Sequence, residues 1–227
     1  MTYKYLGAIV DEKLTGKEHC KQLRCTISKY DGVIYRYKVK HYVNNQALRM
    51  LYHSLINSRA QYEIIAWGRV ASCHLHPIAV VLNRAMRCLL NTDKLLTNKV
   101  TAIYKMQKIP QLKDIYNHEV SKFMYKYTTS ELPATFNNYF KLVTDVHSYS
   151  TRQIKTRQFA FPRKARSNSG AKMIKYSAIG IWSKIPPEMK NKTCLAIFLA
   201  ECKKHVLLSY YNHTLCFYLL LYINQVD

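Results

Sequence analysis

Apolar positions recur at three- and four-residue intervals along most of the chain, the spacing of one face of an α-helix, so the pattern predicts a mainly α architecture. The opening is the exception. Tyr3-Lys4-Tyr5-Leu6-Gly7-Ala8-Ile9-Val10-Asp11 sets β-branched and aromatic residues around a glycine, which predicts a short strand. A helix is expected from about Lys17. Asn44 and Asn45 are candidate caps for a long helix in which Leu48, Leu51, Leu55, Tyr62 and Ile65 recur as far as Trp67-Gly68, with Gly68 as its stop. Pro77 suits the first turn of the next helix. Its apolar stripe is Ile78, Val81, Leu82, Ala85 and Leu89, which leaves Arg84 and Arg87 on a more exposed face.

Between Thr97 and Tyr127, Pro110 interrupts a helical pattern that resumes with Leu112, Ile115, Val120, Phe123 and Tyr127, so two consecutive helices are expected. Residues 141–175 lose apolar periodicity and become rich in Ser, Thr, Arg and Lys, with turn signals at Pro162 and Ser167-Asn168-Ser169-Gly170. They read as an extended basic linker. Order returns at Met173 to Trp182, Pro186-Pro187 marks a turn, and Thr193 to Tyr211 reads as helix. The pattern divides the chain into residues 1–92, a helical extension over 93–140, the linker over 141–175, and a small C-terminal helical region over 176–227.

Composition shows that this pattern belongs to a folded protein. Of 227 residues, 48% are hydrophobic and 12% aromatic, against six glycines and six prolines, which is too apolar for a disordered basic tail. Charge then narrows the function. Lys and Arg number 35 against 13 acidic residues, a net charge of +22. In a foldable chain that implies a polyanionic partner, either nucleic acid or an acidic membrane face. Residues 151–192 hold 11 basic residues and one acidic residue, so Arg152, Lys155, Arg157, Arg163, Lys164, Arg166, Lys172 and Lys175 are candidate phosphate contacts. The same run also reads as a solvated linker.

Seven cysteines with no CxxC pair argue against a disulfide framework, and the N-terminus lacks the pattern of a secretory signal. An intracellular, reduced protein is expected. Residues 206–223 are apolar apart from Ser209, Asn212, His213 and Thr214; they are short for a spanning helix and broken by polar residues, and read as a terminal element packed on the core.

Enzyme signatures are scarce. There is no Gly-rich phosphate loop, no HExxH, no GxSxG and no Asp-Asp pair; the aspartates at 11, 31, 93, 114, 145 and 227 are far apart in sequence. Neither catalysis nor a cofactor is expected. Cys73-His74-x-His76 and the set Cys194, Cys202, His205 lack paired zinc spacing and read as buried thiols and surface histidines. Tyr30, Tyr35, Tyr37 and Tyr42 stand among Lys29, Arg36, Lys38, Lys40 and His41, a mixture suited either to base stacking on a single strand or to the rim of a core. Trp67 and Trp182 read as packing anchors. His147, beside Thr151-Arg152, suits a phosphate contact or a turn.

The order of these landmarks resembles the segment downstream of the catalytic palm in reverse transcriptases of non-LTR retrotransposons, the long interspersed element type. The matching residues are Tyr5-Leu6-Gly7 with Asp11 and His19; Leu51-Tyr52-His53-Ser54-Leu55-Ile56; Tyr62 and Trp67-Gly68; and Asn83-Arg84-Ala85-Met86-Arg87. They continue with His147-x-x-x-Thr151-Arg152, Ile174-x-Tyr176, Trp182-Ser183-Lys184-Ile185-Pro186 and Phe198. Gly16 stands where the family usually has Trp, Glu63 where Gly follows the Tyr, Leu82 where Gln precedes Asn-Arg-Ala, and Ser183 where Asn follows Trp. The resemblance implies an end-of-palm strand followed by a helical, thumb-like bundle over roughly residues 17–91. Such a thumb closes on template-primer duplex, with Arg84 and Arg87 as phosphate contacts. It also implies that the metal-binding aspartates belong to a palm, on sequence before Met1 or on a separate chain. The expected function is a sequence-independent grip on RNA, RNA–DNA hybrid or DNA without primer extension. Two other readings stay open: a structural remnant that associates with itself through an apolar face, and a basic membrane-associated protein using residues 206–223.

Overall fold

The computed structural model describes residues 1–39, 43–89, 100–146, 159–162, 165, 167 and 170–223. It is mainly helical, with one short two-stranded sheet at the N-terminus. The chain divides into two compact units, Met1–Tyr116 with Lys203–Asp227, and Asn117–Cys202.

The first unit opens on a hairpin rather than on a single strand. Strands β1 (Thr2–Tyr5) and β2 (Ala8–Asp11) pair antiparallel with Tyr3 opposite Val10 and Tyr5 opposite Ala8. Leu6 and Gly7 form the two-residue turn, both at positive φ (45° and 99°), the combination a type I′ hairpin requires. A Cβ on Gly7 would also lie 3.2 Å from the Tyr62 ring. The Tyr62 hydroxyl donates to the Leu6 carbonyl, which ties the turn to the rest of the unit.

Asp11 organises the entry to helix α1 (Lys17–Val39). Its carboxylate accepts the Thr15 N–H at 2.9 Å, the Thr15 hydroxyl at 2.8 Å and the Gly16 N–H at 2.8 Å. Burial pushes this carboxyl up, but those donors outweigh it and hold the pKa below its ordinary value. Gly16 sits at φ +66°, and a Cβ there would stand 2.4 Å from the Val70 side chain. A larger residue here would be strained and would have to push the Val70 side chain aside.

Helix α1 buries Cys20, Leu23, Ile27 and Ile34, a stripe at helical spacing. It packs on α5 (Ser72–Cys88), which buries Ile78, Val81, Leu82, Ala85 and Met86. Each fully buried Ile or Leu in this layer contributes about 1.5–3 kcal/mol, so truncating Ile27 to Ala costs about 2–5 kcal/mol. Helix α5 starts earlier than Pro77 suggests. Pro77 lies in the second turn, and the helix tolerates the one hydrogen bond its ring removes.

The expected long helix after Asn44 is built in pieces. Asn44 does cap α2 (Asn45–Leu51), its side chain accepting the Ala47 N–H at 2.8 Å. The next turn, Tyr52–Asn57, widens to a π-helix, which lets both Ile56 and Asn57 face inward. Helix α3 (Ser58–Gln61) follows, Glu63 breaks the chain at φ +51°, and α4 (Ile64–Trp67) ends at Gly68. Gly68 has an ordinary φ of −67°; space decides its identity, because a Cβ would lie 2.4 Å from the Tyr116 ring and 2.6 Å from the Ile64 carbonyl.

Helices α6 (Val100–Gln107) and α7 (Leu112–Thr128) flank Pro110 as the pattern predicts. Tyr210 holds the start of α7 to the C-terminal helix: its hydroxyl accepts the Gln111 N–H at 3.0 Å and donates to Asp114.

In the second unit, α7 continues past Asn117, followed by α8 (Ile174–Ser183), α9 (Pro187–Lys190, with proline at its first position) and the start of α10 (Leu195–Ile223). Its core is aromatic. Tyr125 stacks on Phe198 (centroids 4.7 Å, 26°), and Phe198 leans on Trp182 at 5.9 Å. The Tyr127 hydroxyl accepts the Phe140 N–H and donates to the Phe140 carbonyl, at 3.2 and 3.0 Å. Leu142 bridges Phe159 in a single antiparallel pairing, and Phe140, Val143 and Phe159 are buried. The basic stretch after residue 141 therefore supplies core residues of this unit. Among the described residues, no helix is long and apolar enough to cross a membrane.

Candidate nucleic-acid interface

The exposed cations of α1 gather on one side of the helix, which also carries the half-buried Glu18. Lys17, Lys21 and Arg24 follow one another at helical spacing, Lys29 and Arg36 lie on the adjoining rows, and all five are exposed. At 3.6 residues per turn they fill a broad arc away from buried Cys20, Leu23, Ile27 and Ile34. Tyr35 and Tyr37 are exposed on the same helix, at 57% and 41%. Tyr42, Lys40 and His41 lie outside the described residues.

Asp31 stands two turns after Arg24 on the same side of α1, with a side chain only 4% exposed. The Arg84 guanidinium of α5 donates to it from a side chain that is 60% exposed. This bridge places Arg84 beside the basic arc of α1. Arg87 lies one turn further along α5 and is exposed. Arg84 therefore has a structural partner, and Arg87 is the better placed of the two for a phosphate. Cys88 reports the same cluster: burial raises its thiol pKa, with Asp31 adding to the rise and Lys38 and Arg84 opposing it.

In the second unit, Lys172 is half-buried in a single 3₁₀ turn (Gly170–Lys172), and Lys175 is exposed in the first turn of α8 with its ammonium 5.8 Å from the Tyr139 ring centroid. Arg152, Lys155, Arg157, Arg163, Lys164, Arg166 and His147 lie outside the described residues. Sequence reasoning passed over Lys190, whose ammonium sits 5.4 Å from the Trp182 ring centroid. Burial lowers its pKa, as expected for an amine held against an aromatic surface. It also passed over Lys17, Lys21 and Arg24, although their spacing was there to be read. Asp31 carried a weaker signal, as the one acidic residue between Glu18 and Glu63.

The described aspartates all serve the fold. Asp11 caps the entry to α1, Asp31 pairs with Arg84, Asp114 accepts the Tyr210 hydroxyl, and Asp145 accepts the Leu142 N–H at 3.0 Å. Among the described residues, no three His, Cys, Asp or Glu side chains gather where they could hold a metal ion. Cys73, His76 and Cys194 are exposed, whereas Cys20 and Cys202 are buried, with thiol pKa values pushed up to about 11 by desolvation. Those two thiols stay protonated and unreactive at neutral pH. His19 is 8% exposed: its Nδ1 accepts the Ile9 N–H at 3.2 Å, its ring lies 5.8 Å from that of Trp67, and burial lowers its pKa against a smaller opposing effect of Glu63. It locks the hairpin to α1. No protein-family model, curated protein or solved structure matches this chain.

Proposed function

We propose that this chain grips nucleic acid through its phosphate backbone, without sequence preference and without extending a primer, as a thumb-like and C-terminal segment of a non-LTR retrotransposon polymerase. The observation that carries the reading is the basic arc of α1, Lys17, Lys21, Arg24, Lys29 and Arg36, beside Arg84 and Arg87 of α5. A rigid helical face with this spacing neutralises successive phosphates and releases their counterions, which gives affinity independent of sequence. Glu63 adds support. It holds a left-handed φ of +51°, which glycine adopts at least cost, at the position where the resemblance puts glycine. The structural commitments of Asp11, Asp31, Asp114 and Asp145 favour a binding role over a catalytic one.

Fluorescence anisotropy with labelled RNA–DNA hybrids of unrelated sequence tests the reading. A Kd of roughly 1–100 μM or tighter at physiological salt, equal across sequences, supports it. Absence of binding in that range overturns it. A second reading, self-association, is favoured by the exposed apolar residues of the hairpin region, Met1, Tyr3, Tyr5, Leu6 and Leu14. Light scattering separates the two, since a monodisperse monomer contradicts association.

A further inference from the structure

The second unit contains a cavity of about 700 Å³ whose chemistry differs from that of the α1 surface. This volume lies in the range of small-molecule sites, roughly 300–1,000 Å³. Phe140, Phe159, Phe161, Ile179 and Trp182 supply apolar and aromatic wall, and among the described lining residues Lys190 is the one cation. The wall is built rather than accidental. Phe140 lies 4.9 Å edge-on to Tyr127 and 5.8 Å from Phe159, while the Tyr127 hydroxyl is bonded to both backbone groups of Phe140. Phe161 differs from the others in being 66% exposed. The exposed amides of Asn138 and Asn191 complete the lining beside Thr128 and Ser183.

We propose that this cavity takes an unpaired nucleobase of a bound single strand, stacked against Phe161 and the aromatic wall, with Lys190 on the adjoining phosphate. The inference rests on the nucleic-acid reading given above. A base is flat and aromatic, so it matches the walls; its edge carries amide-like donors and acceptors that suit the two asparagines; and it is tethered to an anion that suits Lys190. The Lys190 ammonium in the lining favours a base tethered to an anion over a neutral aromatic metabolite. The carboxylate of Asp145, also in the lining, is engaged by the Leu142 N–H, so the phosphate belongs on the Lys190 side.

The test compares two labelled single strands of about 12 nucleotides with the same number of phosphates, one bearing bases and one abasic, against the full-length chain. The base-bearing strand is expected to bind roughly ten-fold tighter or more. Phe161→Ala is expected to bring its affinity down to that of the abasic strand while leaving abasic binding unchanged. Lys190→Gln is expected to weaken the base-bearing strand more than the abasic one, because the docked base is what holds a phosphate against Lys190. Equal binding of the two strands by the unaltered chain overturns the cavity assignment and leaves the backbone grip standing. A base preference that survives both variants places the stacking elsewhere and also overturns it. Failure of both strands to bind overturns the nucleic-acid reading itself, and the cavity assignment with it.

Discussion

The half-exposed guanidinium of Arg84 bridges to the buried carboxylate of Asp31, joining α5 to α1 across 53 positions of sequence. The carboxylate's other oxygen, Oδ1, is buried and has no hydrogen-bond partner among the described residues, so Arg84 is its main compensation. Removing the arginine strands a buried charge. Arg84→Ala is expected to cost about 1–3 kcal/mol, at the low end for a buried pair because the arginine side faces water. Asp31→Asn should destabilise the unaltered protein yet stabilise the Arg84→Ala variant. Urea unfolding of the four-member cycle checks this, and additive effects would contradict it.

Acid should weaken the N-terminal hairpin. His19 is neutral in the fold because burial lowers its pKa from the ordinary 6.5, and its Nδ1 accepts the Ile9 N–H. A histidine with a lowered folded pKa leaves the unfolded chain holding more protons below 6.5, so stability is full above that value and falls as pH drops towards the folded pKa. His53, lowered by burial and by Arg49 and Lys203, acts with the same sign. Urea midpoints are expected to fall between about pH 7.5 and about pH 5.5, and His19→Gln should flatten the trend. A midpoint that rises on acidification contradicts the assignment.

Two glycines should respond oppositely to alanine. At Gly68 a Cβ would meet the Tyr116 ring at 2.4 Å and the Ile64 carbonyl at 2.6 Å, so Gly68→Ala is expected to cost about 1–3 kcal/mol. Gly32 lies in the interior of α1 with nothing within 4 Å of such a Cβ. Gly32→Ala should stabilise by about 0.5–1 kcal/mol. Thermal melts of the two variants give the signs directly.

Periodicity and caps made much of the helical order legible: the start of α1 at Lys17, the Asn44 cap, and the helix pair around Pro110 all follow from local chemistry. Where tertiary contact decides, the pattern was silent. Leu6-Gly7 lacks the Asn-Gly or Asp-Gly signal of a hairpin, and the turn is held by Tyr62 from 56 positions away. The π-turn at Tyr52–Asn57 and the left-handed Glu63 break a helix that reads as continuous. At the candidate interface, Arg84 and Arg87 were visible as an exposed pair, but the partner that distinguishes them, Asp31, is marked in the sequence only as a lone acid in a basic stretch, which does not say what it pairs with. Phe159 sits in a stretch that looks like a solvated linker, so the aromatic wall it helps to build was hidden too.

The salt dependence of binding to an RNA–DNA hybrid tests the central claim most directly. A backbone grip that neutralises about 6–10 phosphates loses roughly three to five decades of affinity between 50 and 200 mM salt. Arg87→Ala should reduce the slope of log K against log salt by about one, and Arg84→Ala by less, because Asp31 already offsets that charge. A slope near zero, or one that neither arginine changes, would contradict the account.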